Sequence, residues 1–306
     1  MSRPLRFVPA PKTLVEVSTR TVQSRFLLRP SNALNEIVLG ILGRAQEIYG
    51  VGLCGYAFAS SHYHLLLLVN TAKQLSDFMG YFNSNLAREA GRLVDWREKF
   101  WSRRYRAIVV SGEEGAQRER LKYVLSHGAK EGLVGDPRDW PGVHAIRPLL
   151  DGEPTEGIWF DRTQEYAARR RGEEFERLRY ATPYSVTLSP LPCWEDLPAE
   201  LQRQRIAEIA EEIGAEASAR RQEKGVAPMG ADAVRRQNPH QRPTKTKKSS
   251  APLFHAATKR VREDLLNIYY AFVAAFREAA EKLKAGNRNA AFPIGSFPPG
   301  LPFVSG

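Results

Sequence analysis

Two apolar segments separated by only two residues constrain the fold of this chain most. Residues 51–59 and 62–69 carry apolar side chains at both odd and even positions, and Ser60 and Ser61 lie between them. Apolar residues on both faces are typical of strands that are covered on each side. So short a connection predicts that the two strands follow each other in one sheet. The chain is therefore expected to build its first half around a covered sheet.

The flanking segments place this strand pair within a larger pattern. Residues 14–23 alternate apolar and polar side chains, which predicts a half-buried strand, and residues 31–49 have apolar residues at helical spacing behind a Ser31 cap. A helix is predicted over 74–94, a strand over 105–111 and a third helix over 114–130, which ends before Gly132. The order β-α-β-β-α-β is the ferredoxin-like split β-α-β arrangement, an α+β fold with an antiparallel sheet and helices on one face. The third helix is an addition to that motif.

The second half of the chain has a different composition. Helical patterns occur at 163–178, 199–224 and 256–284, and a short strand is predicted at 184–189. Between the last two helices, residues 235–250 are basic, contain proline and lack large apolar side chains, which is typical of an exposed linker. We therefore divide the chain into a first domain at 1–150 and a mostly helical extension at 151–306.

Charge and cysteine content narrow the class of function. The 306 residues carry a formal net charge of +11, which indicates a polyanionic partner such as nucleic acid. The two cysteines, Cys54 and Cys193, form no CxxC pair, so neither a zinc ribbon nor a disulfide framework is expected. The N-terminus has no apolar signal segment, and the longest apolar run is too short to cross a bilayer. A soluble cytoplasmic protein with no membrane partner is expected.

The first candidate site is a pair of histidines. His62 and His64 lie two apart on a predicted strand, so their side chains leave the same face and can converge on one metal ion. The alternative is that they are two polar residues at a strand start. On the predicted third helix, Tyr123 and His127 are four apart and share a face. His127 is thus a candidate third ligand, and Tyr123 is a candidate nucleophile that an adjacent cation would activate, or else an amphipathic core residue.

These segments resemble a known family. AFASSHYHLLLLV, residues 57–69, is similar to the metal-binding strand of the single-tyrosine HUH transposases, and LKYVLSHGAKEGLVGDPRDWP, residues 121–141, resembles their nucleophile helix and the following turn. The second segment keeps Gly-Leu-Val and Asp-Trp-Pro runs that are typical of the REP-associated tyrosine transposase branch. The segment 100–105 resembles the family's approach to the last strand. The resemblance covers roughly residues 5–145 and assigns the metal-binding pair to His62 and His64 and the nucleophile to Tyr123.

The resemblance implies a mechanism and a cofactor. A divalent metal would act on the scissile phosphate of single-stranded DNA, and Tyr123 would displace the 3′ hydroxyl to leave a 5′-phosphotyrosine link that a second 3′ hydroxyl can reverse. Magnesium or manganese is implied by the family. Here His127 takes the place of an asparagine, and three imidazoles favour manganese or zinc-like ions over magnesium.

Two basic surfaces are candidates for DNA binding. Arginines interleaved with aromatic residues suit phosphate neutralisation and base stacking, and the first set is Trp101, Arg103, Arg104, Tyr105 and Arg106. The second set, in the basic linker, is Arg235, Arg236, Arg242, Lys245, Lys247 and Lys248. The alternative for the first set is a structural cluster with core aromatics, and for the second a solvated linker. Arg169, Arg170 and Arg171 are interpreted as a solvated helix face.

Two other functions fit the same residues. One is a metal-dependent nuclease in which the three histidines activate water and Tyr123 is dispensable. The other is a non-catalytic regulator that binds single-stranded DNA without cutting it. The family resemblance further implies hairpin-forming DNA as the partner and a homodimer as the assembly, and it leaves the role of the extension open.

Overall fold

The computed structural model describes residues 5–172, 176–244 and 252–299. The first half contains seven elements, whose order agrees with the predicted pattern. They are β1 (Thr13–Arg20), α1 (Asn32–Tyr49), β2 (Gly52–Ala59), β3 (His62–Val69), α2 (Ala72–Leu93), β4 (Arg106–Val110) and α3 (Glu114–Leu125). The strand order is β2-β3-β1-β4, and all three of these pairings are antiparallel. The predicted split β-α-β sheet is confirmed.

Local signals explain where the two long helices of this motif begin and end. The Ser31 hydroxyl accepts a hydrogen bond from the backbone N–H of Leu34, and the Thr71 hydroxyl accepts one from that of Gln74, so each caps the start of its helix. α1 ends at Gly50, whose φ of 59° lies in the left-handed region that glycine adopts without strain. These helices therefore have the bounds that their capping residues dictate.

The sheet is covered on both faces. Tyr63 points toward α2, where its ring packs on Phe58 and Phe82, and its hydroxyl donates to Asn83. The opposite face lies under α3, and β1 is buried on both sides as a result. The prediction of a half-buried β1 was wrong for this reason: the added helix α3 covers the face that the alternation assigned to solvent. α1 and α2, the helices of the split motif, lie on the Tyr63 face.

The described part of the second half contains eight further α-helices and β-strands. They are α4 (Ile146–Asp151), β5 (Thr155–Phe160), α5 (Arg162–Arg170), β6 (Ala181–Val186), α6 (Ala199–Lys224), α7 (Ala231–Arg235), β7 (Phe254–His255) and α8 (Lys259–Lys284). β5 and β6 form an antiparallel hairpin that packs on α1. The backbones of Gly40 and Gly157 approach so closely there that a Cβ on Gly40 would lie 2.1 Å from the carbonyl carbon of Ile158. Only glycine fits at this contact.

Two parts of the extension contact the main sheet or helix α3. β7 pairs in parallel with β4 as a fifth strand of the main sheet, and α6 packs against α3. Lys122 on α3 donates to both Glu212 and Glu216 on α6. These contacts fix α3 from its outer side. No helix among the described residues is long and apolar enough to cross a membrane.

Candidate metal and nucleophile site

The paired histidines share one face of β3. His62 lies opposite Arg20 of β1, and His64 lies opposite Ser18. Directly opposed residues of antiparallel strands place their side chains on the same face. The two imidazole rings are 5.4 Å apart between centroids. The alternation in the sequence thus predicted their common face correctly.

His127 lies against this pair, although it is not in the helix. α3 ends at Leu125, Ser126 is its C-cap, and the His127 amide donates to the carbonyl of Val124. The His127 ring stacks on that of His64 at 4.0 Å and lies 5.4 Å from that of His62. The prediction that a helix continues to residue 130 was wrong. The neighbouring Gly128 has a φ of +93° and packs on Trp140, which turns the chain out of the helix while His127 stays over the sheet.

The donor atoms of the three histidines fit a metal ion. One ring nitrogen from each lies within 4.8 Å of the others. The Nδ1 atom of His64 is 2.6 Å from the Glu16 carboxylate, and that of His127 is 3.0 Å from the Val124 carbonyl, so both rings can direct Nε2 to an ion. Three protein ligands leave the remaining positions open to substrate, as catalytic metal sites require.

Charge around the histidines favours the neutral form that binds metals. Burial lowers the pKa of all three imidazoles, and the neighbouring Lys130 ammonium lowers it further. At His64 the Glu16 carboxylate acts in the opposite direction and raises the pKa. Burial would also raise the pKa of Glu16, but the hydrogen bond with His64 and the charge of Arg120 hold that pKa below its ordinary value. At neutral pH the site therefore presents neutral imidazoles beside an ionised carboxylate.

The tyrosine predicted as the nucleophile stands beside these rings. The Tyr123 ring lies 5.5 Å from that of His64 and 5.1 Å from that of His127 between centroids, and 42% of the residue is exposed. Burial and the Glu16 carboxylate raise the pKa of Tyr123, whereas Arg120 and Arg20 lower it. The phenol is thus protonated at neutral pH, accessible from solvent and next to the candidate ligands.

A lysine that sequence reasoning did not single out completes this cluster. The Lys130 ammonium lies 3.7 Å from the centroid of the Tyr123 ring and 2.9 Å from Nε2 of His127. Burial lowers its pKa to about 8, against the opposing effect of Glu131 and Glu16. Glu131 is 3.8 Å away.

The carboxylate behind His64 was also missed from sequence. Glu16 is 2% exposed and accepts hydrogen bonds from both His64 and Arg120. The available signal was the position of Glu16 between Val15 and Val17 on a predicted strand. An acidic residue needs a partner if such a strand is covered on both faces. The identity of that partner depends on strand pairing and on α3, which no local pattern specifies.

The first predicted DNA-binding set divides into two groups. The rings pack within the domain. The Trp101 ring lies 5.6 Å from that of Tyr63 between centroids, and its indole N–H donates to the Asn83 carbonyl. Burial of Tyr105 raises the pKa of its phenol. Arg103 and Arg104 are exposed. Arg106 lies opposite Ser18 of β1, on the face that carries the histidines. The packing of the rings supports a structural role for them, and DNA binding by the arginines stays a prediction.

The described part of the second set lies beside the segment that follows β1 and the turn between β2 and β3. Arg235 ends α7, and its carbonyl accepts a hydrogen bond from Arg29. Gln237 accepts one from the Ser60 hydroxyl, in the turn that leads into His62. Arg236 and Arg242 are exposed, and Lys245, Lys247 and Lys248 lie outside the described residues. The N-terminal part of the basic segment is therefore anchored beside the histidine strand.

Comparison with known proteins finds a family that part of the first half resembles. Residues 17–126 match the family model described as transposase IS200 like. The match spans β1 through the helix of Tyr123 and confirms the family resemblance predicted from the motifs. These residues are similar to IS200-like transposases over about a third of the chain.

Two solved structures are similar to this chain. One is described as the structure of a REP-associated tyrosine transposase bound to a REP hairpin, with 13% identity, a TM-score of 0.42, and coverage of 49% of this chain and 86% of that one. The other, described as a candidate transposase from Deinococcus radiodurans R1, has 20% identity and a TM-score of 0.28, and covers 39% of this chain and 94% of that one. No curated protein matches the chain.

Proposed function

We propose that this protein cleaves and rejoins single-stranded DNA, with Tyr123 as the nucleophile and with a divalent metal ion bound by His62, His64 and His127. The observation that carries the proposal is the placement of an exposed phenol 5.5 Å and 5.1 Å, between ring centroids, from two of three clustered imidazoles. The similarity of residues 17–126, which include Tyr123, to IS200-like transposases supports the same reaction class.

The residues of the chain divide the chemistry between them. A divalent ion supplies Lewis acidity at a non-bridging phosphate oxygen when it is bound. The Tyr123 oxygen forms a bond to phosphorus as the bond from phosphorus to the 3′ oxygen breaks. The phenol proton leaves to solvent, and the departing 3′ oxygen takes up a proton. Glu16 holds the His64 ring in the tautomer that leaves Nε2 free, and Arg120 keeps Glu16 ionised.

The covalent product accounts for rejoining without an energy source. The 5′-phosphotyrosine link is a phosphodiester, as is the DNA linkage that it replaces. A 3′ hydroxyl from another strand end can attack the phosphorus and release Tyr123, in the reverse of the first step. Phosphodiester bonds are exchanged and none is lost, so nucleotide hydrolysis is not required.

The donor set bears on the choice of metal. Three imidazoles with one buried carboxylate behind them are borderline ligands that suit manganese or zinc-like ions better than magnesium, which prefers oxygen. We therefore propose that manganese supports cleavage at lower concentration than magnesium does. The family resemblance keeps magnesium as the alternative.

Electrostatics support a nucleic acid as the partner. The chain carries a net charge of +11, and the exposed Arg103 and Arg104, together with Arg106 on the histidine face, lie around the strand ends. Arg236 and Arg242 add charge beside the turn that precedes His62. A hairpin-forming strand and a homodimer are further proposals that follow from the family resemblance.

Covalent capture separates this function from its two alternatives. Purified protein is incubated with Mn²⁺ and labelled oligonucleotides that cover the DNA flanking the gene, and is then separated by denaturing electrophoresis. We expect a labelled protein band that is absent with Tyr123→Phe and retained with Tyr166→Phe, a control that removes the hydroxyl of a 64% exposed tyrosine on α5. Cut DNA without a labelled band would instead indicate a water-using nuclease, and intact DNA with normal binding would indicate a regulator.

A further inference from the structure

We propose that Arg20 and Lys130 form a binding site for a phosphodiester group of the DNA backbone next to Tyr123. The proposal rests on the function proposed above, because it names the groups that hold the DNA at the same centre. Neither residue is a metal ligand or the nucleophile.

Arg20 occupies the end of the face that carries the histidines. It is the last residue of β1, lies directly opposite His62, and shares a face with Glu16 and Ser18. The residue is exposed, and its charge interacts with Tyr123. Among the described residues no carboxylate lies within ion-pairing distance of Arg20. The charges that act on Arg20 are those of Arg103 and Arg106, which have the same sign, and that of Glu131, which has the opposite sign but forms no ion pair with it.

A strained turn holds the guanidinium in place. Gln23 and Ser24 follow β1 with φ values of 54° and 58°, in the left-handed region that side chains rarely adopt. Ser24 is 5% exposed, and its hydroxyl accepts a hydrogen bond of 3.3 Å from Nη1 of Arg20. The Thr21 hydroxyl closes the same turn by donating to the Arg25 carbonyl at 2.6 Å. Two adjacent strained residues that position one arginine indicate a built site, because strain persists only where the surroundings enforce it.

Lys130 brings a second cation to the same phenol. Its ammonium lies 3.7 Å from the centroid of the Tyr123 ring and 2.9 Å from Nε2 of His127. Nε2 has a single lone pair, and it cannot bind an ion and accept from an ammonium together. If an ion occupies Nε2 of His127, the remaining ion-pair partner of Lys130 among the described residues is the Glu131 carboxylate, whose Oε1 lies 3.8 Å from Nζ of Lys130. A phosphate oxygen beside Tyr123 would give this ammonium a stronger partner, since charge-assisted bonds to phosphate are short and strong.

The two cations explain how the DNA could be oriented before any bond changes. A phosphodiester held by Arg20 at the strand end and by Lys130 at the turn after α3 would lie beside the exposed phenol. Arg120 is unsuited to this role because its guanidinium donates to Glu16 and is largely buried. Of the described cations that are shown to interact with Tyr123, Arg20 and Lys130 are therefore the two that do not donate to the buried Glu16.

Binding without cleavage tests this site. Fluorescence anisotropy of a labelled single-stranded oligonucleotide is measured from 0.05 to 1 M NaCl at a fixed concentration of MnCl₂, in the Tyr123→Phe background, with Arg20→Gln or Lys130→Gln added. Loss of one phosphate contact should reduce the slope of log Kd against log salt by about 0.7, which corresponds to about eightfold weaker binding at 0.05 M salt relative to 1 M. Arg88→Gln is the matched control, because Arg88 is exposed on α2, on the other side of the sheet.

Two further comparisons fix the interpretation. Ser24→Ala should weaken binding less than Arg20→Gln and add nothing to it, as expected of a positioning residue. A neutral methylphosphonate at the contacted phosphate should abolish the effect of Arg20→Gln. The site is refuted if Arg20→Gln and Lys130→Gln match Arg88→Gln in slope and Kd while Tyr123→Phe still prevents the covalent adduct. If the covalent adduct still forms with Tyr123→Phe while Arg20→Gln and Lys130→Gln both reduce the salt slope, the proposed function is refuted and the phosphate site is not.

Discussion

Replacing Glu16 by glutamine tests how the candidate metal site is built. The Glu16 carboxylate is 2.6 Å from Nδ1 of His64 and 2.7 Å from the Arg120 guanidinium, and only 2% of the residue is exposed. Loss of a carboxylate behind a histidine ligand typically reduces metal affinity by about 10- to 100-fold. That range corresponds to about 1.4–2.8 kcal/mol of binding free energy. We expect Glu16→Gln to weaken Mn²⁺ binding by this amount.

The same change should also reduce stability, for a separate reason. The Arg120 side chain is 11% exposed, and its charge would lose its buried partner. Breaking such a pair costs about 3–5 kcal/mol when burial is complete, and the residual exposure of Arg120 places the expected loss at about 3 kcal/mol. Urea denaturation measures this loss of unfolding free energy, and circular dichroism shows whether the variant is folded at the temperature of the metal titration.

Calorimetric titration with MnCl₂ provides the assay. Glu119→Gln is the control, since it removes the same charge from α3, where the carboxylate is 70% exposed and pairs with His255. We expect near wild-type Mn²⁺ affinity for Glu119→Gln and at least a tenfold loss for Glu16→Gln. A folded Glu16→Gln protein that binds Mn²⁺ as tightly as Glu119→Gln would refute the reasoning, because the carboxylate would then have no part in orienting His64.

Three other perturbations follow from the structure. Gly128→Ala places a Cβ 2.6 Å from the Trp140 ring at a φ of +93°, so we expect about 1–3 kcal/mol less stability in urea and weaker Mn²⁺ binding; an unchanged midpoint would contradict this. Burial lowers the pKa of His144 to about 4, so stability present above pH 6.5 should fall by about 3 kcal/mol as the pH drops to 4, and His144→Asn should flatten that profile in denaturation at each pH. Neutralising Arg236 and Arg242 with glutamine should reduce the salt slope of single-stranded DNA binding by about 1.4, whereas an unchanged slope would assign them to a solvated segment.

Periodic patterns predicted the frame of the fold well. The hairpin of β2 and β3, the Ser31 cap of α1 and the order of the first six elements follow from alternation, helical spacing and capping, all of which are local. α6 has the predicted bounds of Ala199–Lys224. Such signals survive folding because each reflects a face that must be buried or an end that must be capped.

The elements that sequence reasoning missed depend on tertiary contacts. β7 has two residues, too few for any alternation to be visible, and it forms because β4 offers a free edge. α3 ends five residues before its predicted end because Gly128 packs on Trp140. α5 also ends early, at Arg170, and β6 begins at Ala181 rather than at residue 184. Helical and strand propensity alone cannot anticipate partners that are distant in sequence.

The candidate site shows the same division. The spacing of His62 and His64 reveals their common face, and the four-residue spacing from Tyr123 led to His127 even though the helix ends between them. Glu16 and Arg20 were missed because their positions beside the histidines and Tyr123 depend on strand pairing. The local sequence therefore suggested His62, His64 and Tyr123 as candidates. The fold was needed to find Glu16 and Arg20 beside them.

The site of covalent attachment tests the central proposal most directly. Protein trapped on labelled single-stranded DNA with Mn²⁺ is digested with nuclease and trypsin, and the modified peptide is sequenced by mass spectrometry. We expect a nucleotide phosphate on Tyr123, within the peptide YVLSHGAK of residues 123–130, which contains no other tyrosine. Two results would contradict the proposal, each with the peptide recovered unmodified. In one, DNA is attached to another residue; in the other, DNA is cut without becoming attached to the protein.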